Sequence, residues 1–258
     1  MKLAVTGPAT ADDPTPSASD IETALADHQR SFSVVESGAA DLLVAVGVDG
    51  LRAAAETAAS SPILSVGLDA ACSLSTSDPA TVADAVARVA AESVDAVPAV
   101  THRPLQLAAG ESTAMAVADC MLLTTQPARI SEYAVTTGET PLTEFRADGV
   151  VVATPIGSGS YARAAGGPRL APGSGVAVVP IAPFATQADS WVVQPPLTLT
   201  VERDTDVTVF ADDRRLTSGG TEISVTVTQG SPLSVLDARR IGDGSSNWKN
   251  SNESSTQD

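Results

Sequence analysis

The sequence predicts an α/β plus all-β protein, in which a Rossmann-like α/β domain is followed by a β-sandwich-like domain. Strand and helix patterns alternate over residues 1–98, as they do where helices cover a parallel sheet. Short segments that alternate apolar with polar residues fill residues 99–240 and are typical of antiparallel sheets. Residues 241–258 are almost wholly polar, so we expect a disordered tail there.

The predicted elements of the first domain alternate between strand and helix. Apolar runs predict strands at 2–6, 32–35, 41–46 and 62–66. Helical spacing of apolar residues predicts helices at 20–30, 51–60 and 79–92. Asp78 suits the cap of the last helix, and Pro79 suits its first position. The segment 47–50 is then a turn at the carboxyl end of a parallel strand, where open α/β sheets bind ligands.

The second domain is predicted to consist of strands joined by turns. The strands are expected at 104–108, 112–125, 130–136, 150–153, 176–180, 197–201, 207–210, 223–227 and 233–236. Leu197, Leu199 and Val201 alternate strictly with Thr, which predicts one buried face and one solvent-facing side. Asp212-Asp213 is one of the turn signals between the strands.

The charge of the chain restricts its ligands and its surroundings. The formal net charge is −16, and the lysines are Lys2 and Lys249 alone. Such a composition suits a cytoplasm of very high salt, where repulsion is screened, so we expect a halophilic, cytoplasmic protein. The lack of a basic stripe argues against nucleic acid as a partner. The lack of a long apolar run or a signal-peptide pattern argues against a membrane location.

Cysteine and histidine are too sparse to suggest a metal site. Cys72 and Cys120 lie far apart, and the histidines are His28 and His102. A structural zinc site needs clustered Cys and His ligands. We therefore expect two buried cysteines that act as small apolar residues, and no metal held by protein side chains.

The stretch 148–169 holds the most unusual run of residues. Asp148-Gly149 is followed by a short apolar strand and then by Thr-Pro-Ile-Gly-Ser-Gly-Ser-Tyr at 154–161. A strand, a Gly/Ser turn and a helix start direct backbone N–H groups towards an anion. Small residues also let a ligand approach the backbone closely. We expect an anionic ligand at this stretch.

Two motifs together resemble the NAD kinase family, over about residues 1–240. That family has a Gly-Gly-Asp-Gly-Thr turn in its α/β domain, and residues 47–51 here are Gly-Val-Asp-Gly-Leu. Its β domain has Asp-Gly, then Thr-Pro-Thr-Gly-Ser-Thr-Ala-Tyr, then Ser-Ala-Gly-Gly-Pro. Residues 148–149, 154–161 and 164–168 are similar to these three segments in order and spacing.

The resemblance implies an NAD kinase fold and ATP-dependent phosphorylation of the NAD ribose 2′-hydroxyl. It implies Asp49 as the catalytic base, with phosphates bound at Gly47, Val48 and Gly50. It further implies a nucleotide site formed by Asp119, Asp148, Thr154, Gly157, Ser158 and Tyr161. ATP with Mg²⁺, NAD as the acceptor, and a homodimer or homotetramer complete what the family resemblance implies.

Five positions depart from the family pattern, and two of them, Ile156 and Gly159, stand where the family has Thr. Val48 replaces a Gly, and its β-branched side chain resists a positive φ. Leu51 replaces a Thr, and Ala118 stands where the family has the Asn of an Asn-Glu or Asn-Asp pair. Two alternatives stay open: a non-catalytic NAD(P)-binding regulator, and a kinase for another small acceptor. Polyphosphate is open as the donor in place of ATP.

Several candidate residues also have a purely structural interpretation. Gly47 and Gly50 could serve only a tight turn, and Asp49 could cap the following helix. Asp119 could be an exposed residue of an alternating strand. Asp148-Gly149 could be an ordinary hairpin turn.

Overall fold

A computed structural model describes residues 1–8, 16–27, 33–57, 60–76, 78–125, 130–185, 188–203, 206–219 and 223–241. Within these residues the strands are β1 (Lys2–Thr6), β2 (Ser33–Val34), β3 (Leu42–Val46), β4 (Ile63–Val66), β5 (Ser73–Leu74), β6 (Ala99–His102), β7 (Leu105–Ala109), β8 (Ser112–Ala116), β9 (Asp119–Thr124), β10 (Ser131–Thr137), β11 (Thr140–Ala153), β12 (Val176–Pro183), β13 (Trp191–Val193), β14 (Leu197–Arg203), β15 (Val207–Ala211), β16 (Arg214–Gly219), β17 (Ser224–Gln229) and β18 (Leu233–Leu236). The α-helices are α1 (Ala18–Asp27), α2 (Gly47–Glu56), α3 (Pro79–Glu92) and α4 (Tyr161–Ala164). These elements form two sheets and confirm the predicted fold class.

The first sheet has the strand order β2-β1-β3-β4-β18-β6, with β5 beside β4. Strands β1 to β4 pair in parallel. The chain adds β2 on one side of β1 and β3 on the other, so the order reverses between β1 and β3. Such a switch point opens a crevice at the carboxyl ends of the strands. Helices α1 and α3 share one apolar cluster with the sheet, and α2 packs into another.

The second sheet is antiparallel and has eleven strands within the described residues. Its main path runs β16-β15-β9-β11-β10-β14-β17-β7-β8, and β12 and β13 extend from β11. Its core is formed by the inward side chains of nearly every strand, including Leu122, Tyr133, Val152, Leu199 and Val227. The sheet brings β9 and the turn between β15 and β16 next to each other.

The strand predicted at 233–236 belongs to the first sheet rather than to the second. Val235 of β18 pairs in parallel with Ile63 of β4, and β18 pairs antiparallel with β6. The chain therefore returns to its first sheet after completing the second. A domain boundary at residue 98 stays a prediction, and the proposed tail beyond Ile241 lies outside the described residues.

Two predicted elements of the second sheet have different bounds in the structure. The single strand expected at 112–125 is divided into β8 and β9. The strand expected at 150–153 is the end of the fourteen-residue β11. Asp148-Gly149 therefore lies inside a strand, and its interpretation as a hairpin turn is wrong.

Helix α2 begins four residues earlier than the sequence indicated. Gly47 has a φ of 65° and follows the N-cap Val46, so residues 47–50 are the first helical turn. Helix α3 begins as predicted, because the Asp78 carboxylate accepts hydrogen bonds from the N–H groups of Ala80 and Thr81 at 3.2 and 3.3 Å. Among the helices of the described residues, none combines the length and the apolar character needed to span a bilayer.

Candidate functional site

A cleft of about 350 Å³ opens where the switch point of the first sheet meets the second sheet. Its walls are the first turn of α2, the start of β9, the turn between β15 and β16, and the start of α4. The lining includes Val48, Asp49, Ala118, Asp119, Ser160 and Asp213. Two of the sequence-predicted groups, residues 47–49 and Asp119, thus meet in one concave site.

The first turn of α2 supplies the wall from the first sheet. The first amide groups of an α-helix have no partner within the helix, and they carry a partial positive charge. The positive φ at this turn falls on Gly47, so Val48 does not have to adopt one. Gly50 lies directly on β1, since a Cβ atom there would come within 2.3 Å of the Thr6 carbonyl oxygen.

Asp49 and Leu51 differ in their surroundings although they are close in sequence. The Asp49 side chain is 50% exposed and lies in the first helical turn, while the N-cap is Val46. The interpretation of Asp49 as the helix cap is therefore wrong. Leu51 is fully buried in the cluster between α2 and the sheet, so its side chain serves the core.

The second sheet contributes a tightly held backbone segment at residues 117–119. The Asp212 carboxylate accepts hydrogen bonds from the N–H groups of Val117, Ala118 and Asp119 at 3.1, 2.8 and 3.1 Å. The Asp212 N–H in turn donates to the Asp119 carbonyl oxygen at 2.8 Å. Burial raises the pKa of Asp212 above its ordinary value, although these hydrogen bonds and Arg52 act in the opposite direction.

Asp119 is a buried carboxylate rather than an exposed strand residue. Its relative exposure is 6%, which contradicts its interpretation as a solvent-facing side chain. Burial raises the pKa of Asp119 to about 7, and the neighbouring charges of Asp212 and Asp213 add to the effect. A group of this pKa exchanges protons near neutrality.

Arg52 lies beneath the cleft and was not singled out from the sequence. Its side chain is 2% exposed, and it forms an ion pair with Asp49 one turn earlier in α2. Its Nη1 atom lies 3.1 Å from Asp212 Oδ2 and 3.3 Å from Asp213 Oδ1. Because Asp212 follows 160 residues later in the chain, no local pattern could have indicated this contact.

The loop at 154–160 packs against residues 117–118, which lie just before β9. Thr154 is fully buried, and its hydroxyl lies 2.9 Å from the carbonyl oxygens of both Val117 and Ala118. Gly157 packs against the same segment, since a Cβ atom there would come within 2.2 Å of the Ala118 carbonyl oxygen. The Ser158 hydroxyl donates to the Pro155 carbonyl oxygen and accepts from the Leu170 N–H. These side chains therefore shape the wall instead of facing the cleft.

Two further sequence-predicted residues lie in different places. Tyr161 begins α4 beside the cleft-lining Ser160 and is 43% exposed. Asp148 is exposed within β11 and is not among the residues that line this cleft. The structure thus brings Asp119 and the 154–160 loop together, and it leaves Asp148 apart from them.

A second cavity, of about 260 Å³, lies behind Pro155 and Ile156. His102 lines it, and its Nε2–H group donates a hydrogen bond to the Val117 carbonyl oxygen at 2.9 Å. Burial lowers the pKa of His102 to about 4, so the imidazole is neutral at pH 7. Cys72 and Cys120 are both buried, and burial raises the pKa of each thiol, as expected for apolar packing residues.

The first cleft has the better combination of groups for phosphoryl chemistry. It joins helix N-terminal amides, which attract anions, to the half-exposed carboxylate of Asp49 and the buried carboxylate of Asp119. The second cavity contains a neutral imidazole and no carboxylate among its lining residues. We therefore take the first cleft as the candidate active site.

Comparison with known proteins finds similarity to NAD kinases. Residues 118–234 match the family model of the ATP-NAD kinase C-terminal domain. The NAD kinase of Methanosarcina acetivorans is 37% identical over 107 residues, which are 41% of this chain and 36% of the relative. The NAD kinase of Methanosarcina barkeri is 41% identical over 85 residues, which are 33% of this chain and 31% of the relative. The matched segment thus spans about a third of the length of these relatives.

Two solved structures are similar over nearly the whole chain. An NAD kinase from Archaeoglobus fulgidus in complex with ATP has a TM-score of 0.65 at 21% identity, and the match covers 93% of this chain and 96% of that one. Yeast NADH kinase complexed with NADH has a TM-score of 0.69 at 15% identity, covering 93% of this chain and 84% of that one. Residues 118–234 are thus similar in sequence to the C-terminal domain of ATP-NAD kinases, and the fold of the chain is similar to that of these two solved structures.

Proposed function

We propose that this protein is an ATP-dependent NAD kinase that phosphorylates the 2′-hydroxyl of the NAD adenosine ribose. The observation that carries the proposal is the single cleft in which Asp49 and the first turn of α2 face Ala118 and Asp119 of the second sheet. The Methanosarcina relatives, which are 37% and 41% identical over 107 and 85 residues, are NAD kinases. The Archaeoglobus fulgidus neighbour, an NAD kinase in complex with ATP, supports ATP as the donor.

Asp49 is the proposed base for the acceptor hydroxyl. Its half-exposed carboxylate can reach a substrate in the cleft, and its ion pair with Arg52 fixes its position on α2. Phosphoryl transfer depends mainly on position and charge neutralisation. The orientation and the ionised state of the base therefore matter more than its basicity.

The proposed phosphate site is the backbone at Gly47, Val48 and Gly50. A positive φ at Gly47 and close packing of Gly50 hold the first amides of α2 at the cleft. If Gly47 and Gly50 had a purely structural role, they would serve only the tight turn between β3 and α2. Here Gly47 and Val48 also line the cleft, which supports a binding role for their backbone.

Magnesium fits this donor set as an ion held mainly by substrate phosphates. Among the described residues, no three His, Cys, Asp or Glu side chains are grouped to hold a metal ion. Mg²⁺ commonly keeps several waters and binds one or two carboxylates together with phosphate oxygens. The exposed carboxylates of Asp49 and Asp213 are the residues that would meet it, and the ion would neutralise phosphate charge.

The proposed NAD site comprises Asp119, Tyr161 and the loop that contains Thr154, Gly157 and Ser158. Asp119 can accept hydrogen bonds from ribose or base N–H and O–H groups, and half-exposed Tyr161 can pack against a ring. Thr154, Gly157 and Ser158 act through the shape of the wall, since their polar groups are already hydrogen-bonded to one another or to neighbouring backbone. Asp148 is proposed to contact NAD on the basis of the family resemblance alone.

The surroundings and assembly of the protein belong to the same proposal. The acidic, lysine-poor composition supports a halophilic protein of the cytoplasm. The exposed Phe184 after β12 and the exposed Val192 of β13 leave apolar surface on the second sheet, which supports a homodimer or homotetramer. Light scattering on the purified chain in molar KCl measures the mass directly, and a monomer at micromolar concentration would contradict the assembly.

An enzyme assay tests the proposed function. The purified chain is incubated with NAD, ATP and Mg²⁺ in molar KCl, and NADP is measured with a salt-tolerant NADP-specific dehydrogenase. We expect ATP-dependent NADP formation that chelation of Mg²⁺ abolishes. Saturable NAD or NADP binding without NADP formation would contradict the proposal and support a regulator. Phosphate transfer to another acceptor, or from polyphosphate alone, would identify a different kinase.

A further inference from the structure

Arg52 occupies an unusual position for a cation. Its side chain is 2% exposed, and a buried charge is costly unless carboxylates and hydrogen bonds compensate it. Nη2 forms the ion pair with Asp49, and Nη1 contacts both Asp212 and Asp213. Nε and Nη2 have no hydrogen-bond partner among the described residues, so Nη2 meets Asp49 through the ion pair alone. The guanidinium is therefore committed to carboxylates on two sides.

The partners of Arg52 belong to different sheets. Asp49 and Arg52 lie on α2, which packs on the first sheet. Asp212 lies in the turn between β15 and β16, and its carboxylate holds three successive N–H groups at residues 117–119 of the second sheet. A continuous chain of contacts thus runs from Asp49 through Arg52 and Asp212 to the backbone beside Asp119.

We propose that Arg52 is a positioning residue, which fixes Asp49 relative to residues 117–119 and so sets the separation of the two walls of the cleft. This inference rests on the proposed function for its effect on rate, but not for its effect on the structure. The planar guanidinium directs its two terminal nitrogens in fixed directions. It can therefore hold Asp49 and Asp212 at one geometry, which the point charge of a lysine cannot do.

Neutralisation of charge is the alternative role for Arg52. Asp49, Asp119, Asp212 and Asp213 contribute four carboxylates to this cleft, so a single cation offsets part of their repulsion. If neutralisation alone mattered, Arg52→Lys would retain function. If positioning matters, Arg52→Lys and Arg52→Met should both lower kcat, because an error of about 1 Å in a reacting group can cost about a hundredfold in rate.

Kinetics of NADP formation separate these roles. We expect Arg52→Met and Arg52→Lys to lower kcat by roughly ten- to a hundredfold, with a smaller change in the KM for NAD. Arg214→Met is the matched control, since it removes an exposed cation of β16 that pairs with Glu56 of α2 at 3.8 Å, outside the cleft. A kcat for Arg52→Lys equal to that of wild type would overturn the proposal.

A double-mutant cycle tests whether Arg52 acts through Asp49. In the Asp49→Asn background, Arg52→Met should reduce the residual rate by less than about threefold, because residues that act as a unit are not additive. An equal fold-loss in both backgrounds would overturn the proposal. If Arg52→Met fails to fold, Arg52→Met combined with Asp212→Asn removes both charges of the buried pair. A wild-type kcat in that double variant would also overturn it.

Amide hydrogen exchange provides a readout that needs no activity. Arg52→Met should speed exchange at residues 117–119, which Asp212 holds, and Arg214→Met should leave it unchanged. Exchange at 117–119 equal to wild type in Arg52→Met would overturn the inference. Because this measurement does not involve NADP, faster exchange in a protein that makes no NADP would support the role of Arg52 while contradicting the proposed function.

Discussion

At the scale of single residues, the buried carboxylate of Asp119 gives the cleft a dependence on pH. Burial and two neighbouring carboxylates raise the pKa of Asp119 to about 7 in the folded chain, whereas an unperturbed Asp has a pKa of about 3.9. Between these values the folded state holds a proton that the unfolded state has lost. The contribution of Asp119 to stability is therefore largest at low pH and is lost as the pH rises through about 7.

Asp119→Asn should remove this dependence. The free energy of unfolding of wild type relative to Asp119→Asn should fall between pH 5 and pH 7, by at most about 1.4 kcal/mol per pH unit. Urea unfolding at several pH values in molar KCl measures the difference. The pKa of His102 is lowered to about 4, so its contribution to the free energy of unfolding rises with pH below pH 6.5. His102 is present in both proteins, and its contribution therefore cancels in the difference. Curves that run parallel over this range would contradict the burial of an ionisable Asp119.

At the scale of elements, the loop at 154–160 depends on its contact with the backbone before β9. Gly157 leaves no room for a side chain, since a Cβ atom would meet the Ala118 carbonyl oxygen at 2.2 Å. Gly157→Ala should therefore destabilise the fold by about 2–4 kcal/mol and raise the KM for NAD. Gly38→Ala is the control, because no atom lies within 4 Å of a Cβ built there. Equal stability of the two variants would contradict the close packing of this loop.

The elements also show which structural features the sequence could predict. Apolar runs correctly indicated β1, β3 and β4, and Asp78 correctly indicated the start of α3, because these signals are local. The start of α2 was placed too late, since residues 47–50 resemble a turn and the positive φ of Gly47 is visible only in the fold. The pairing of β18 with β4 and the contact of Arg52 with Asp212 join distant parts of the chain, for which no local pattern exists.

The candidate site was predicted in part. The motifs indicated residues 47–49 and Asp119, which line one cleft, and the roles of these residues stay a prediction. The sequence could not show that the Thr154 hydroxyl bonds to the Val117 carbonyl oxygen and the Ser158 hydroxyl to the Pro155 carbonyl oxygen, because the first contact depends on a segment distant in the chain. Asp212-Asp213 was recognised as a turn, but its role in holding residues 117–119 required the pairing of β15 with β9.

At the scale of the whole molecule, the net charge of −16 predicts stabilisation by salt. Screening of repulsion between carboxylates favours the compact state. The midpoint of thermal unfolding should rise by roughly 5–10 °C between 0.1 and 2 M KCl, as about 2–3 kcal/mol would produce in a chain of this size. Calorimetry over a KCl series measures it. A midpoint that stays constant or falls with added KCl would contradict the halophilic interpretation.

The proposed function depends on both sheets, because each contributes one wall of the cleft. The proposed base lies on a helix of the first sheet, and the proposed acceptor site lies on the second sheet, so the proposed activity requires both sheets in one cleft. Asp49 can be changed to Asn with little change in volume, and its side chain is half exposed. Arg52 keeps Asp212 and Asp213 as partners, so the substitution should leave the fold intact while it removes the proposed proton acceptor.

The most direct test compares the initial rate of NADP formation from NAD and ATP in wild type and in Asp49→Asn, under identical salt and Mg²⁺. We expect measurable turnover in wild type and a kcat lower by about 10²–10⁴-fold in the variant, with unfolding midpoints within a few degrees of each other. Equal rates in the two proteins, or no NADP from the wild type, would contradict the assignment of this cleft as the site of NAD phosphorylation.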